Sequence, residues 1–181
     1  MQAIFQNGLS NNIFRLHILA NSDSKEDQEL KLKVRDEILK YMKTLTNDMS
    51  DKQAVIELSQ KHIEDFKQIA ENVIKQNGYD YSVKIEIGNF YFPTKYYGNI
   101  SLPAGNYDAL KIEIGEAQGQ NWWCSLFPPL CFVNISSGVV DEEGEKYLKE
   151  NLSDEEFAIV SNSSSNVEFK FKIIELINKR S

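Results

Sequence analysis

Fifteen residues concentrate both tryptophans, both cysteines and two of the four prolines of this chain: Gly119-Gln-Asn-Trp-Trp-Cys-Ser-Leu-Phe-Pro-Pro-Leu-Cys-Phe-Val133. If residues 121–126 are extended, successive side chains alternate, so Trp122 and Trp123 cannot both enter the same core. The adjacent prolines lack an N–H group, so the backbone there cannot run through the centre of a sheet. We therefore predict a rigid, apolar segment outside the strand ladder, near a sheet edge, that serves in recognition.

The two cysteines lie at the ends of a short loop within this segment. We favour a disulfide between Cys124 and Cys131 that closes the Ser125–Leu130 loop and holds the prolines in place. Such a bond requires an oxidising compartment. Two buried thiols acting as small hydrophobic side chains are the alternative.

Composition limits the classes of protein to which the chain can belong. Its 181 residues suit one domain with a real core, and a hydrophobic content of 41% rules out a disordered chain. The net charge of -7 argues against a protein dedicated to nucleic-acid backbones. No run reaches the roughly 18 apolar residues of a membrane helix. We expect a flexible tail at residues 1–12 and a single globular domain at residues 13–181, with no export segment visible in the chain.

Strands are predicted where apolar side chains alternate with polar ones, at residues 13–20, 81–87, 90–97 and 107–114. In the first strand, Arg15 and His17 lie opposite the apolar face. Pro93 places the aromatic-rich third strand at an edge.

Two long helices are predicted between the first and second strands. One begins after Ser24 and runs to about Asn47, and the other begins at Ser50 and ends at Asn77-Gly78. Their short connection implies an antiparallel helical hairpin that covers one face of the sheet.

The C-terminal part is more polar. Residues 141–160 are expected to hold one or two short helices, with Ser153 and Glu156 as a capping box. Residues 167–179 fit either a strand or a helix, and we favour a helix. The predicted fold class is α+β, a mainly antiparallel sheet of about four or five strands packed by an N-terminal helical hairpin and a C-terminal helix.

Motifs for catalysis are missing. The sequence contains no P-loop, Rossmann glycine fingerprint, His-Glu-x-x-His helix or Gly-x-Ser-x-Gly elbow. A thiol hydrolase would have to pair Cys124 or Cys131 with His17, and nothing in their spacing supports that pair. We predict no catalytic residue, no metal site and no cofactor.

Several blocks of the sequence resemble the stage II sporulation protein R family. They are Phe14–Ser24, Asp27-Gln28, Leu30–Asp36, Phe92–Asn99, Leu102–Gly105, Tyr107–Gly115 and Asn121–Val133, in the order in which the family has them. Together they span roughly residues 13–133, with a weaker match at Lys172-Ile-Ile-Glu-Leu.

The resemblance implies a signalling protein of endospore-forming bacteria. Such proteins are made in the forespore and exported into the space between the forespore and mother-cell membranes. There they trigger a membrane-embedded aspartic protease, which removes the pro-sequence of sporulation sigma factor E, and they are not enzymes themselves. The family normally carries an N-terminal export segment, which this chain lacks. No nucleic acid and no small-molecule substrate is implied.

The resemblance does not identify binding residues, so we infer the protease-binding surface from physical chemistry. Aromatic anchors in a rigid patch are typical of interface hot spots. The candidates are Phe92, Tyr96, Tyr97, Trp122, Trp123, Phe127, Pro128 and Pro129. The alternatives are that these side chains simply build the core, or that exposed aromatics stack on sugars in a protein that binds or modifies the cell wall.

Overall fold

The computed structural model of the chain describes residues 9–47, 49–97, 100–132 and 142–161. The strands are β1 (Phe14–Leu19), β2 (Val83–Phe92), β3 (Lys95–Tyr97), β4 (Ile100–Leu102), β5 (Gly105–Ile114) and β6 (Asn121–Phe127). The helices are α1 (Lys25–Thr46), α2 (Lys52–Lys61), α3 (Ile63–Gln76), α4 (Glu142–Asn151) and α5 (Asp154–Ser161), and a 3-10 turn (Leu130–Phe132) follows β6. In this part of the chain no helix is both long enough and apolar enough to span a bilayer.

Four strands form one sheet in the order β2-β5-β1-β6, and β3 pairs with β4 in a separate two-stranded sheet. The β2–β5 and β1–β6 pairs are antiparallel, whereas β1 and β5 are parallel. The predicted α+β class and mainly antiparallel sheet are confirmed. The parallel pair was not predicted, because strand direction depends on how the intervening helices return the chain to the sheet.

Helices α1 and α3 cover one face of the sheet, as the predicted hairpin requires. The β1 side chains of Phe14, Leu16 and Ile18 are fully buried beneath them. The same core cluster takes in Val34 and Ile38 of α1. Burying each such side chain contributes about 1.5–3 kcal/mol relative to leaving it in water.

Local capping sets the outer ends of this hairpin where the sequence predicts them. The Ser24 side chain accepts a hydrogen bond from the Asp27 N–H at 3.1 Å and caps α1. At the far end, α3 stops at Asn77, and Gly78 follows with a φ of 83°. Glycine adopts this left-handed conformation without the steric cost of a Cβ atom.

The interior of the second predicted helix differs from the prediction in two ways. Its N-cap is Asp51, whose side chain accepts from the Ala54 N–H at 2.9 Å, rather than Ser50. The helix is also broken at His62, which leaves the helical region at φ -104° and ψ 17°. The His62 ring lies 2.9 Å from the Tyr41 hydroxyl and 2.7 Å from Asp65, contacts that hold it at the junction of α2 and α3.

The strand β6 forms the edge predicted for the tryptophan-rich segment, but it belongs to the ladder. Its residues pair with β1 from Asn121 to Phe127, so the prediction of a segment outside the ladder is wrong for these positions. The missing N–H of proline excludes only its own position from pairing. The chain accordingly leaves the sheet after Phe127, through a cis peptide bond to Pro128. The predicted disulfide between Cys124 and Cys131 is present.

Helices α4 and α5 pack with the β3–β4 pair in a second apolar cluster. The predicted capping box is confirmed, because the Ser153 N–H donates to Glu156 at 2.9 Å and the Glu156 N–H donates to the Ser153 hydroxyl at 3.3 Å. Residues 9–12, which the sequence analysis placed in the tail, belong to the packed structure: Leu9 is buried and the Asn12 amide donates to Glu156 at 3.0 Å. The predicted C-terminal helix at residues 167–179 lies outside the described residues.

Gly119 lies where the turn after β5 crosses the end of β1. Its N–H donates to the Ala20 carbonyl at 3.0 Å, and an added Cβ would overlap the backbone carbonyl of Ser22. Because backbone atoms cannot move aside as a side chain can, Gly119→Ala should lower the free energy of unfolding by about 1–3 kcal/mol. Gly105→Ala is the control, since its nearest neighbouring atom would be 3.8 Å away. Urea denaturation that shows equal losses for both variants contradicts this account.

The disulfide closes a loop with a sequence separation of 7 residues. Replacing both cysteines by alanine should lower the free energy of unfolding by about 2–3 kcal/mol in the loop-entropy estimate. Denaturation is compared with and without a thiol reductant. The reductant should destabilise the wild-type protein and leave the double variant unchanged. If the reductant leaves the unfolding transition of the wild-type protein unchanged, the disulfide does not make the predicted contribution to stability.

Candidate functional site

The face of the sheet turned away from α1 and α3 carries Arg15 and His17 of β1, and we call it the polar face. Cross-strand register places His17 between Lys111 of β5 and Trp123 of β6. The β3–β4 pair and helices α4 and α5 cover the half of this face around Arg15, with apolar contacts. The sheet therefore has an ordinary helix-covered side and a second side where charged and aromatic groups meet.

Arg15 is fully buried, and no carboxylate of the described residues pairs with it. Its Nη2 donates to the Tyr97 hydroxyl at 3.1 Å. Its guanidinium carbon lies 4.3 Å from the ring centroid of Phe92 and 5.0 Å from that of Tyr107. Within the described part of the chain, Nε and Nη1 find no acceptor. Aromatic faces, rather than a counter-ion, replace most of the water that this cation loses.

This burial shifts the pKa values of Arg15 and of the two tyrosines around it. Burial lowers the pKa of Arg15, an effect that Tyr97 and Tyr107 partly oppose. Burial also raises the pKa of Tyr107 to about 12 and raises that of Tyr97. The Tyr97 hydroxyl is thus a neutral group that accepts from Arg15 and donates to the Trp123 carbonyl at 3.2 Å. This chain of contacts links β1, β3 and β6.

His17 lies flat against Trp123, with ring centroids 3.8 Å apart and planes inclined by 13°. It is only 7% exposed, and neither ring nitrogen makes a hydrogen bond to the described residues. Burial lowers the pKa of His17 to about 4; the Asn121 side chain opposes this shift, although its geometry falls short of a hydrogen bond. Near neutral pH, His17 is therefore an uncharged aromatic ring stacked on Trp123.

Charged side chains continue the polar face across β2 and β5. Lys111 lies 2.7 Å from Glu113 and 3.6 Å from Glu86, while Lys84 lies 3.3 Å from Glu113 and 3.5 Å from Glu86. The hydrogen bond from Lys111, followed by that from Lys84, lowers the pKa of Glu113. Alternating charge thus leaves this half of the face open to water, next to the partly exposed Trp123.

These groups form a surface suited to binding. The thiol hydrolase considered from sequence is ruled out as a free-thiol site, because Cys124 and Cys131 are joined to each other. Among the described residues, no three histidine, cysteine or acidic side chains are grouped as metal ligands. A partly exposed tryptophan beside lysine side chains fits recognition of an aromatic or anionic group.

The recognition residues predicted from sequence divide between the two faces. Phe92, Tyr97 and Trp123 come together on the polar face. Tyr96 precedes Tyr97 in β3, points away from the face that Tyr97 enters, and is 69% exposed. Trp122 lies on the helix-covered side, where the Arg35 guanidinium sits 4.3 Å from its ring.

The remaining candidates line the turn at the end of β6. Phe127 and Pro128 are buried, and Pro129 is partly buried. Phe127 belongs to the core cluster beneath the helices rather than to the polar face. Of the eight candidates, Trp123 is therefore partly exposed on the polar face, and Tyr96 is exposed on the outer side of β3.

Sequence reasoning missed the groups that organise this face. Arg15 and His17 were assigned only to the polar side of a strand, and Lys95, whose Nζ lies 5.6 Å from the Trp123 ring, was not singled out. The available signal was the presence of Arg15 and His17 in β1, because polar side chains rarely occupy a strand that is buried on both faces. Recognising that burial requires the position of β1 in the middle of the sheet.

His17 should make stability depend on pH. Its pKa is lowered from 6.5 to about 4, so between these values the unfolded chain binds a proton that the folded chain does not. Its contribution is complete above the unfolded pKa and is lost as the pH falls towards the folded one. Between about pH 7.5 and about pH 5, the wild-type protein should lose roughly 2 kcal/mol more stability than His17→Phe. This variant keeps a ring against Trp123, and equal losses in urea denaturation contradict the assignment.

Comparison with known proteins places this site within a matched region. The family model of stage II sporulation protein R matches residues 10–137, which include the central sheet, the polar face and the disulfide. Stage II sporulation protein R of Bacillus subtilis (strain 168) is 40% identical over 131 residues, or 72% of this chain. The aligned part is 58% of that protein, so the chain spans less than two thirds of its relative. No solved structure matches. On the extent of the family match, the chain belongs to the stage II sporulation protein R family.

Proposed function

We propose that this protein is an exported, non-enzymatic signal that activates a membrane-embedded aspartic protease, which processes pro-sigma-E during endospore formation. The observation that carries the proposal is the family match over residues 10–137, which spans the whole central sheet. The polar face supplies the binding surface for the protease.

The disulfide supports the proposed compartment. Cys124 is fully buried, and its bond to Cys131 closes the turn after β6. Structural disulfides persist in oxidising compartments and are rare in the bacterial cytosol. The bond therefore fits a protein that acts after export, in the space between the forespore and mother-cell membranes.

The enclosure of Arg15 and His17 by aromatic rings supports a role without catalysis. His17 is held as a neutral ring against Trp123, and Arg15 is enclosed by aromatic rings. A general base needs hydrogen-bond reach to the proton that it removes. The tight stack of His17 on Trp123 instead rigidifies a binding surface, which lowers the entropy lost when a partner docks.

Tyr96 and its neighbours are the best contact points for the protease. Tyr96 is 69% exposed on β3, between Lys95 and the buried Tyr97. Lys95 reaches over Trp123, whereas Tyr96, whose side chain alternates with those of Lys95 and Tyr97, is exposed on the outer side of β3. Aromatic anchors held by a rigid base are typical of interface hot spots.

The exposed aromatics offer less support for a sugar-binding role. Tyr91 and Tyr96 are the two most exposed large hydrophobic side chains of the described residues. Their rings do not contact each other, and Tyr91 faces the opposite side of β2 from Phe90 and Phe92 because strand residues alternate. They therefore do not form the continuous platform that stacking on an extended sugar chain requires.

We expect Tyr96→Ala to reduce protease activation while leaving the fold unchanged. An exposed side chain contributes little to stability, so the free energy of unfolding should change by less than about 0.5 kcal/mol. Loss of a hot-spot aromatic typically weakens binding by about 2 kcal/mol or more, which corresponds to roughly thirtyfold. The assay is cleavage of pro-sigma-E by the protease reconstituted in vesicles, with the purified protein added to the outer face.

Tyr91→Ala is the matched control. It removes the same side chain at 65% exposure from β2, in the other sheet, and activation should be retained. Equal activation by both variants rejects Tyr96 as a contact point of the protease. A protease that is competent by other means, yet unaffected by the wild-type protein, rejects the proposed function itself.

A further inference from the structure

Strand β2 has an open side. It forms one end of the four-stranded sheet, and among the described residues no strand pairs with its outer edge. Its ten residues pair with β5 in unbroken register from Val83 to Phe92. Natural edge strands are usually shortened, bulged or interrupted by proline, because a regular edge is a template for another strand. None of these three devices is present between Val83 and Phe92, although Lys84 and Glu86 supply the charged side chains that also occur on natural edges.

The backbone groups that face the open side can be assigned. The Ser82 carbonyl accepts from the Gly115 N–H at 2.8 Å, one step beyond the Val83–Ile114 pair. Since inward and outward groups alternate along a strand, the N–H and C=O groups of Val83, Ile85 and Ile87 point away from β5. Outside the sheet ladder, the backbone–backbone bonds of the described residues do not involve β2.

The side chains of β2 are complementary to those of a second copy of β2 that runs antiparallel to it. When two copies of β2 pair antiparallel about a two-fold axis at Ile85, Lys84 of each copy lies opposite Glu86 of the other. On the other face, Val83 lies opposite Ile87, and the two Ile85 residues oppose each other. Opposite-charge and apolar cross-strand pairs both stabilise a sheet.

Neighbouring symmetric registers lack this match. An axis at Lys84 or at Glu86 places like charges opposite each other, and an axis at Ile87 places Lys84 opposite Phe90 and Glu86 opposite Gly88. Ile85 and Ile87 are also among the partly buried hydrophobic side chains packed against the core cluster beneath the helices. Pairing about Ile85 covers them and continues the sheet across the axis.

We propose that the outer edge of β2 docks a second copy of this chain, forming a two-fold symmetric dimer with one continuous sheet. In this register the outward groups of Val83, Ile85 and Ile87 make backbone hydrogen bonds with the partner copy. The dimer presents two identical polar faces. The inference concerns the chain itself and does not depend on the proposed function.

Cysteine cross-linking locates the axis. In a hydrogen-bonded antiparallel pair the opposing Cα atoms are about 5.5 Å apart, a separation that a disulfide spans. Ile85→Cys should therefore form a covalent dimer on mild oxidation. Ile87→Cys is the matched control, because in this register its counterpart lies four positions away along the strand. Cross-linking at Ile87 but not at Ile85 overturns the register.

Charge exchange tests the contact in the full-length protein without any cross-link. Lys84→Glu and Glu86→Lys each replace two attractive pairs by two repulsive ones, so each should raise the dimer dissociation constant about tenfold or more. An equimolar mixture of the two variants restores both attractive pairs and should form the heterodimer. The double variant should again self-associate like the wild type. Sedimentation equilibrium measures each constant, and thermal melting checks that every variant is folded.

Two results overturn the proposal. One is a wild-type protein that remains monomeric over the whole accessible concentration range, in which case Lys84 and Glu86 protect the edge instead. The other is a dimer that neither charge exchange nor cross-linking at Ile85 affects, which places the contact elsewhere. In the first case, binding of an extended segment of another protein along β2 by the monomer identifies the occupant of the edge instead.

Discussion

The polar face depends on the contacts that the buried guanidinium of Arg15 makes with aromatic side chains. Taking an unpaired cation out of water costs several kcal/mol, so it must be surrounded by groups that replace its hydration. Phe92 at the end of β2, Tyr97 of β3 and Tyr107 of β5 meet this requirement. Each comes from a different strand, and the Tyr97 hydroxyl extends the connection to the Trp123 carbonyl of β6. One side chain of β1 thereby fixes how the other strands converge.

The position of β1 explains why the two faces of the sheet differ. It lies between a parallel and an antiparallel neighbour, so both of its edges are paired, and packed side chains cover both of its faces. The helix-covered face is an ordinary apolar core. The other face combines a closed half around Arg15 with an open half, where Trp123 and the alternating charges of β2 and β5 meet water. A binding surface here rests on a rigid sheet rather than on a loop, which favours a preorganised partner contact.

Much of the secondary structure could be predicted because its causes are local. The Ser24 cap, the Ser153–Glu156 capping box and the alternation along β1 and β5 depend on residues within a few positions of one another. The disulfide was predicted from a short loop that needs no knowledge of the fold. The break at His62 was missed, because it depends on Tyr41 of another helix.

Sequence alone established the α+β class, the helical hairpin and the separation of Trp122 from Trp123. The spacing of apolar residues and the capping of helices reveal these features, because both depend on residues only a few positions apart. Tertiary structure decided which predicted recognition residues are accessible, and it buried Phe92 and Tyr97 while leaving Tyr96 in water. It also decided that Arg15 and His17 are enclosed rather than solvated. These outcomes depend on partners far away in the chain, such as Tyr97, which is 82 positions from Arg15. No local pattern encodes such distant neighbours, since they exist only once β1 is the central strand.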